Sequence, residues 1–357
     1  MSATRATGNL CFAIIIALYS VSASAMPRNV MAGHLAASSR QVAFSVQEEH
    51  SVDLVIADIA SGSIIELRSP GNRLVSPYLS PDGSRLLVVR QHPDNGASDL
   101  LSCTTDTFRC KQLHSSSDSI ASPTEIDAHR ILFVSSQLRT DGPNLRSKYL
   151  GFQVNRYVKH DIWRLDLGQS PIRVTGFELY ELGDLCVTAT NVYFHGLGPR
   201  PGKPVIPKFD LKRPASEIYR LPLDRASGLI NLPEAQLQPL FLREGYTYAA
   251  KVSDDESVAA IIRTTTNWSG GGGYRYDLVI QDLKTGTSFT ISPSNRLGFS
   301  RPVFVGNTVL VNEIFDNKYI IRRVVPGDLS SQTVMEISDG SIIHASTVEV
   351  ATDTEAR

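Results

Sequence analysis

Short runs of alternating apolar and polar residues, separated by turn-forming clusters, cover this chain almost from end to end. Val42-Ala43-Phe44-Ser45-Val46 predicts one strand and Leu54 to Ile59 another; a turn at Ser61-Gly62 then leads into a return strand at Ile64 to Leu67. Ser80-Pro81-Asp82-Gly83 predicts a tight turn, because proline presets φ and glycine accepts a positive one. Leu86 to Val89 follows it as a strand. No long helical period interrupts the pattern, so the expectation is an all-β chain.

The pattern also recurs. A strand opening on an acidic residue appears at Asp53, Asp99, Asp161, Glu217 and Asp277, with a weaker copy at Tyr319. Spacings of 42 to 62 residues mark a repeat architecture with variable loops, since lengthening a loop costs little entropy. Between the copies lie polar turns that feed apolar strands, at Ser80, Ile126, Val252 and Val305. Two strands from each element make a four-stranded unit, and six units predict a six-bladed β-propeller of four-stranded antiparallel blades.

The segment Ser80-Pro81-Asp82-Gly83-Ser84-Arg85-Leu86 resembles the WD40-like repeat of TolB-type propellers. The stretch from Asp141-Gly142 through Lys159 to Leu167 and on to Arg173-Val174-Thr175 is similar to the propeller domain of prolyl-oligopeptidase-family peptidases. The resemblance spans residues 37–350 and implies the fold, with activity left open. Those peptidases add a hydrolase domain with a Gly-x-Ser-x-Gly nucleophile elbow. The nearest match here, Gly298-Phe299-Ser300-Arg301-Pro302, ends in proline and lies inside the repeats.

Residues 1–25 have the form of a secretory signal: Arg5, an apolar run from Leu10 to Val21, then Ala23-Ser24-Ala25 as a cleavage site. Cys11 opens that run ahead of the cleavage region, a poor position for lipid attachment. The expected organisation is a cleaved segment, a lead-in over 26–36, the propeller over 37–350 and a tail over 351–357. Periplasmic or secreted localisation follows, with no stable membrane insertion after cleavage. Lys+Arg 35 against Asp+Glu 36 leaves a net charge of −1, which argues against a nucleic-acid partner. Cys103 and Cys110 face each other if their segment is a hairpin, and then form a disulfide; the competing reading is two unpaired strand thiols. Cys186, in an apolar run, is expected as a buried free thiol.

Three insertions break the repeat rhythm. Arg139 to His160 carries Arg139, Arg146, Tyr149, Arg156, Tyr157 and His160; Gly196 to Pro214 carries Arg200 and Lys203; Thr264 to Tyr276 carries Trp268, four consecutive glycines and Tyr274. A basic, aromatic rim of this kind suits an acidic or peptidic ligand, against the alternative of solvated loops whose charges serve solubility. The glycines lack the Gly-Lys-Ser/Thr and the strand-to-helix setting of a phosphate loop. Among the histidines His195, at a strand end before the second insertion, is the best single catalytic candidate, with a structural strand-end histidine as the competing role. Local spacing defines no metal site, and no cofactor is expected. The leading expectation is a binding module that holds a protein or peptide partner on one propeller face. The alternative is a lyase, lactonase or cyclase acting on a small molecule at the central channel, so whether the chain is an enzyme stays open with the balance towards no.

Overall fold

A computed structural model describes residues 30–47, 52–69, 71–139, 145–146, 153–154, 157–177, 179, 181–197, 217–224, 228–230, 240, 246–264, 276–293, 298–314, 318–338 and 341–345. Alternation sets the elements. In Val52–Asp58 and Arg85–Gln91 the central residues are buried on both sides, as strands sandwiched between neighbouring sheets require. The outer strand Ile64–Leu67 instead leaves Ile64 and Ile65 exposed.

These strands build an all-β propeller, a ring of antiparallel sheets in which most neighbours in a sheet are also neighbours along the chain. Apart from a two-stranded ribbon of Leu145–Arg146 and Gln153–Val154, four sheets stand separately: Ser119–Asp127 with Arg130–Arg139, Tyr157–Asp166 and Ile172–Arg173; the group from Glu181–Val187 to Leu229–Ile230; that from Tyr246–Val252 to Ser288–Ile291; and five strands from Val303–Val305 to Ser341–Ala345. The expected six separate blades are therefore not what the pairing shows. The first eight strands, Val30–Ala37 to Cys110–Ser116, form one continuous sheet, because Val52 pairs in parallel with Arg73 and its amide donates to the Asn72 carbonyl. The innermost strand begins at Val30, inside the segment expected as a lead-in.

The core lies at the seams between successive four-strand groups. Leu54, Ile56, Leu86 and Val88 share one cluster; Leu132, Ile162, Leu185 and Phe194 share another. Phe44 and Val55 from the start of the chain pack with Leu310, Tyr319 and Met335 from its end. The ring thus closes through side chains, with no strand contributed by one end of the chain to the sheet of the other among the described residues. Cys103 and Cys110 are direct cross-strand partners and form a disulfide.

Strand order also separates two faces. In each group the first and second strands join through a tight turn at one face, and the second and third join at the other. All three insertions fall at the second connection: the strands bracketing them end at Arg139, Leu197 and Thr264 and resume at Tyr157, Glu217 and Asp277. Their points of departure therefore share one face, opposite the tight turns.

Candidate functional site

The innermost strand of each group ends at the tight-turn face. Three of these strands carry a β-bulge of the same form, in which two residues oppose one between Val75 and Tyr78, Ala121 and Thr124, and Gly183 and Cys186. Within each bulge one non-glycine residue takes positive φ: Ser76 at 51°, Ser122 at 47° and Asp184 at 53°. Such a conformation is held only where its surroundings over-determine it. Ser122 Oγ links two of these bulges, accepting the Asp184 amide of the neighbouring sheet at 3.1 Å.

Beyond the bulges the strand ends and their turns enclose a cavity of about 890 Å³, open to solvent at the tight-turn face. Its wall includes Leu35, Pro77, Tyr78, Leu185, Val303 and Phe304. Its carboxylates and cations are Asp82, Arg85, Glu125, Asp127, Lys251 and Asp254. Both cations are engaged. Arg85 Nε donates to Glu125 Oε1 at 2.5 Å and Nη1 to the Ala128 carbonyl at 3.2 Å; Lys251 Nζ donates to the Leu185 carbonyl at 2.6 Å. Burial pushes the Glu125 carboxyl up, against the opposing pull of Arg85. Burial likewise raises Tyr78, with the Glu125 charge adding to the effect.

Cys186 is free, as expected, but half-buried on the cavity wall; its Sγ donates to the Val252 carbonyl at 3.2 Å. Burial pushes this thiol up, outweighing the neighbouring Lys251, so at neutral pH it is a protonated and poorly nucleophilic group.

The turn at Ser80 shows why the motif has its composition. Ser80 Oγ donates to Asp82 Oδ1 at 2.6 Å and accepts the Arg85 amide at 2.9 Å, while Gly83 takes φ 71°. Ser253 to Val258 builds the same turn without proline or glycine. Ser253 Oγ donates to Asp255 Oδ1 at 2.6 Å and accepts the Val258 amide at 3.0 Å, and Glu256 takes φ 57° in the glycine's place.

Of the site residues singled out in the sequence, those that are described do not line this cavity. His195 does not line the cavity: it is buried, its Nδ1 3.0 Å from Asp184 Oδ2, with Gly183 so close that a Cβ there would meet its ring at 2.9 Å. Arg301 Nε reaches the other oxygen of Asp184 at 3.4 Å. Burial works against the Asp184 charge, but Arg301 and His195 outweigh it and hold the carboxyl well below its usual range. His160 is half-buried, with Nδ1 3.1 Å from the Leu179 carbonyl. Arg139 and Tyr157 are brought together as cross-strand partners at the end of a long hairpin, and Arg146 pairs with Gln153 in a two-stranded ribbon. Tyr149, Arg156, Arg200, Lys203, Trp268 and Tyr274 lie outside the described residues. Among the described residues, no three His, Cys, Asp or Glu side chains converge as metal ligands would, and no helix is long and apolar enough to cross a membrane. The turn at Thr188–Asn191, missed in the sequence, contributes to the cavity rim; its only signal is a polar pause before Val192.

Ring and channel-mouth cavity together define the class: a β-propeller whose inner hairpins enclose a binding-sized space at one face. Among solved structures, TolB from Acinetobacter baumannii is similar at 17% identity and a TM-score of 0.55, over 83% of this chain and 63% of that one. Puromycin hydrolase is similar at 10% identity and a TM-score of 0.55, over 87% of this chain and 54% of that one. The β-propeller domain of the Trilobed protease from Pyrococcus furiosus aligns at 11% identity and a TM-score of 0.50, over 86% of this chain and 96% of that domain. This chain therefore spans less than two thirds of TolB and about half of puromycin hydrolase. At such identities the likeness is one of fold. No family model and no curated protein matches the chain.

Proposed function

We propose that this chain is an exported six-bladed β-propeller that holds a protein or peptide partner at its cavity face. The count of six rests on reading the eight-stranded sheet as two blades joined by the single parallel pair of Val52 and Arg73. Apolar clusters on both sides of that join, one packing the first four strands on the next four, favour the division. Export rests on residues 1–25, and the Cys103–Cys110 disulfide suits an oxidising compartment. In this reading cleavage precedes Met26 and the ring extends to about residue 350, ahead of a short tail.

The cavity is the observation that carries the binding reading. At about 890 Å³ it falls within the range of ligand sites, its wall mixes apolar side chains with backbone, and its one thiol is held neutral. A wall of this kind suits side-chain insertion by a partner better than bond making. Its test is capture from a cell-envelope extract by the full chain, compared with Ala189→Trp, which fills the mouth from an exposed turn position. Partners held by the native chain and lost with Ala189→Trp support the proposal; identical capture by both removes it. Amino-terminal sequencing of the exported protein tests the leader, with Met26 expected first.

A further inference from the structure

The charge at the cavity mouth is opposite in sign to that of the basic insertions, whose points of departure lie at the other face. Four carboxylates and two cations line the cavity. Arg85 is paired with Glu125, Asp127 with Arg130, and Lys251, which donates to the Leu185 carbonyl, offsets the buried Asp184 carboxylate together with Arg301. Asp82 and Asp254 remain, both exposed at the rim. The Ser80 hydroxyl, then the Ser84 amide and hydroxyl, keep Asp82 ionised. The two carboxylates sit on turns of the second and fifth groups, across the mouth from one another in the six-bladed reading, so they flank a chain passing between them instead of converging on one ion. Tyr78 and Phe304 on the wall add aromatic surface that favours a cationic side chain.

We infer that the cavity takes an extended peptide segment carrying a lysine or arginine, its apolar neighbours against the wall and its charge between Asp82 and Asp254. The inference rests on the proposed binding function and specifies its ligand. The probes are fluorescein-labelled heptapeptides of glycine, alanine and phenylalanine that differ only in a central lysine, norleucine or glutamate. Fluorescence anisotropy against the full chain expressed for export should rank lysine above norleucine above glutamate, with about a tenfold step for each charge change at low salt. Added salt should narrow the steps. Asp254→Lys should weaken the lysine peptide by about tenfold and leave the norleucine peptide within about twofold; Asp254→Asn should fall between. Equal binding of all three peptides, a preference for glutamate, or indifference to Asp254→Lys overturns the charge assignment and leaves the cavity a peptide site. Failure of every peptide to bind overturns both.

Discussion

Glu256 occupies a backbone conformation that the equivalent turn assigns to Gly83, and its side chain explains the exchange. It accepts from Thr190 Oγ1 at 2.7 Å, Asn191 Nδ2 at 2.7 Å and Tyr193 OH at 2.9 Å, and from Thr188 Oγ1, all on the neighbouring group. Burial raises its carboxyl, but these donors outweigh that and the net effect is a lowering. Glu256→Gly relieves about 1 kcal/mol of backbone strain and forfeits the cross-seam bonds, so a net loss of about 1–2 kcal/mol is expected in urea unfolding. A more stable glycine variant would show that strain exceeds what the bonds return. Asp82 and Asp255 carry a separate pH signature. Ser80 and Ser253, respectively, are the main cause of values of about 2, with Ser84 and Ser257 adding to them. Both lie below the ordinary 3.8, so their contribution is complete above that value and is lost as pH falls towards 2. Thermal melts from pH 5 to pH 2 should show a shallower acid limb for the Asp82→Asn, Asp255→Asn pair than for the native chain, whereas parallel limbs would remove the assignment.

Across the elements, the recurrent acidic residue acts at Asp53, Asp99 and Asp161 as a latch for the outer strand and the segment that follows it. Asp161 accepts from Arg173 Nη2 at 2.6 Å, Thr175 Oγ1 at 3.0 Å and the Phe177 amide at 2.8 Å. Asp99 binds Ser115 Oγ at 2.6 Å and Arg90 Nε at 2.9 Å, and Asp53 accepts the Ser69 amide at 3.4 Å. Outer strands such as Ile172–Arg173 are short and have exposed side chains, so packing alone holds them weakly. Asp161→Ala is expected to cost about 2–3 kcal/mol, with amide protection lost first at 172–177 in hydrogen exchange. Uniform loss of protection across the sheet would count against a local latch. The disulfide works on the same scale: it closes a short loop between Cys103 and Cys110, and the double serine variant should lose about 2 kcal/mol in urea unfolding. Recurrence of the acid was legible in the sequence. Its role was not, because the partners on and just after the outer strands lie 12 to 16 residues away and share no common pattern.

For the molecule as a whole, closure by side chains makes the first and last groups interdependent. Phe44, nearly fully buried, sits in the cluster that joins them. Phe44→Ala is expected to cost about 3–4 kcal/mol and to bring forward proteolysis near both ends of the ring together. Cleavage confined to the first group would show that the seam does not couple them. The two faces follow from strand alternation in the same way: tight turns and cavity at one, the departures of the long basic insertions at the other. Expected as a ligand rim, those insertions leave the ring from the face opposite the cavity.

By itself the sequence determined the strands, the repeat, the turn chemistry at Ser80 and the cross-strand meeting of Cys103 with Cys110, because each depends on residues a few positions apart. Alternation, turn residues and hairpin register are local properties of the chain. Only the tertiary structure decided that His195 is buried against Asp184 while Asp82 and Asp254 face a shared mouth. It also decided that Glu256 ties two groups together. Each of these depends on residues from different repeats whose positions are set by ring closure, and closure arises from packing at the seams, which no short window of sequence contains.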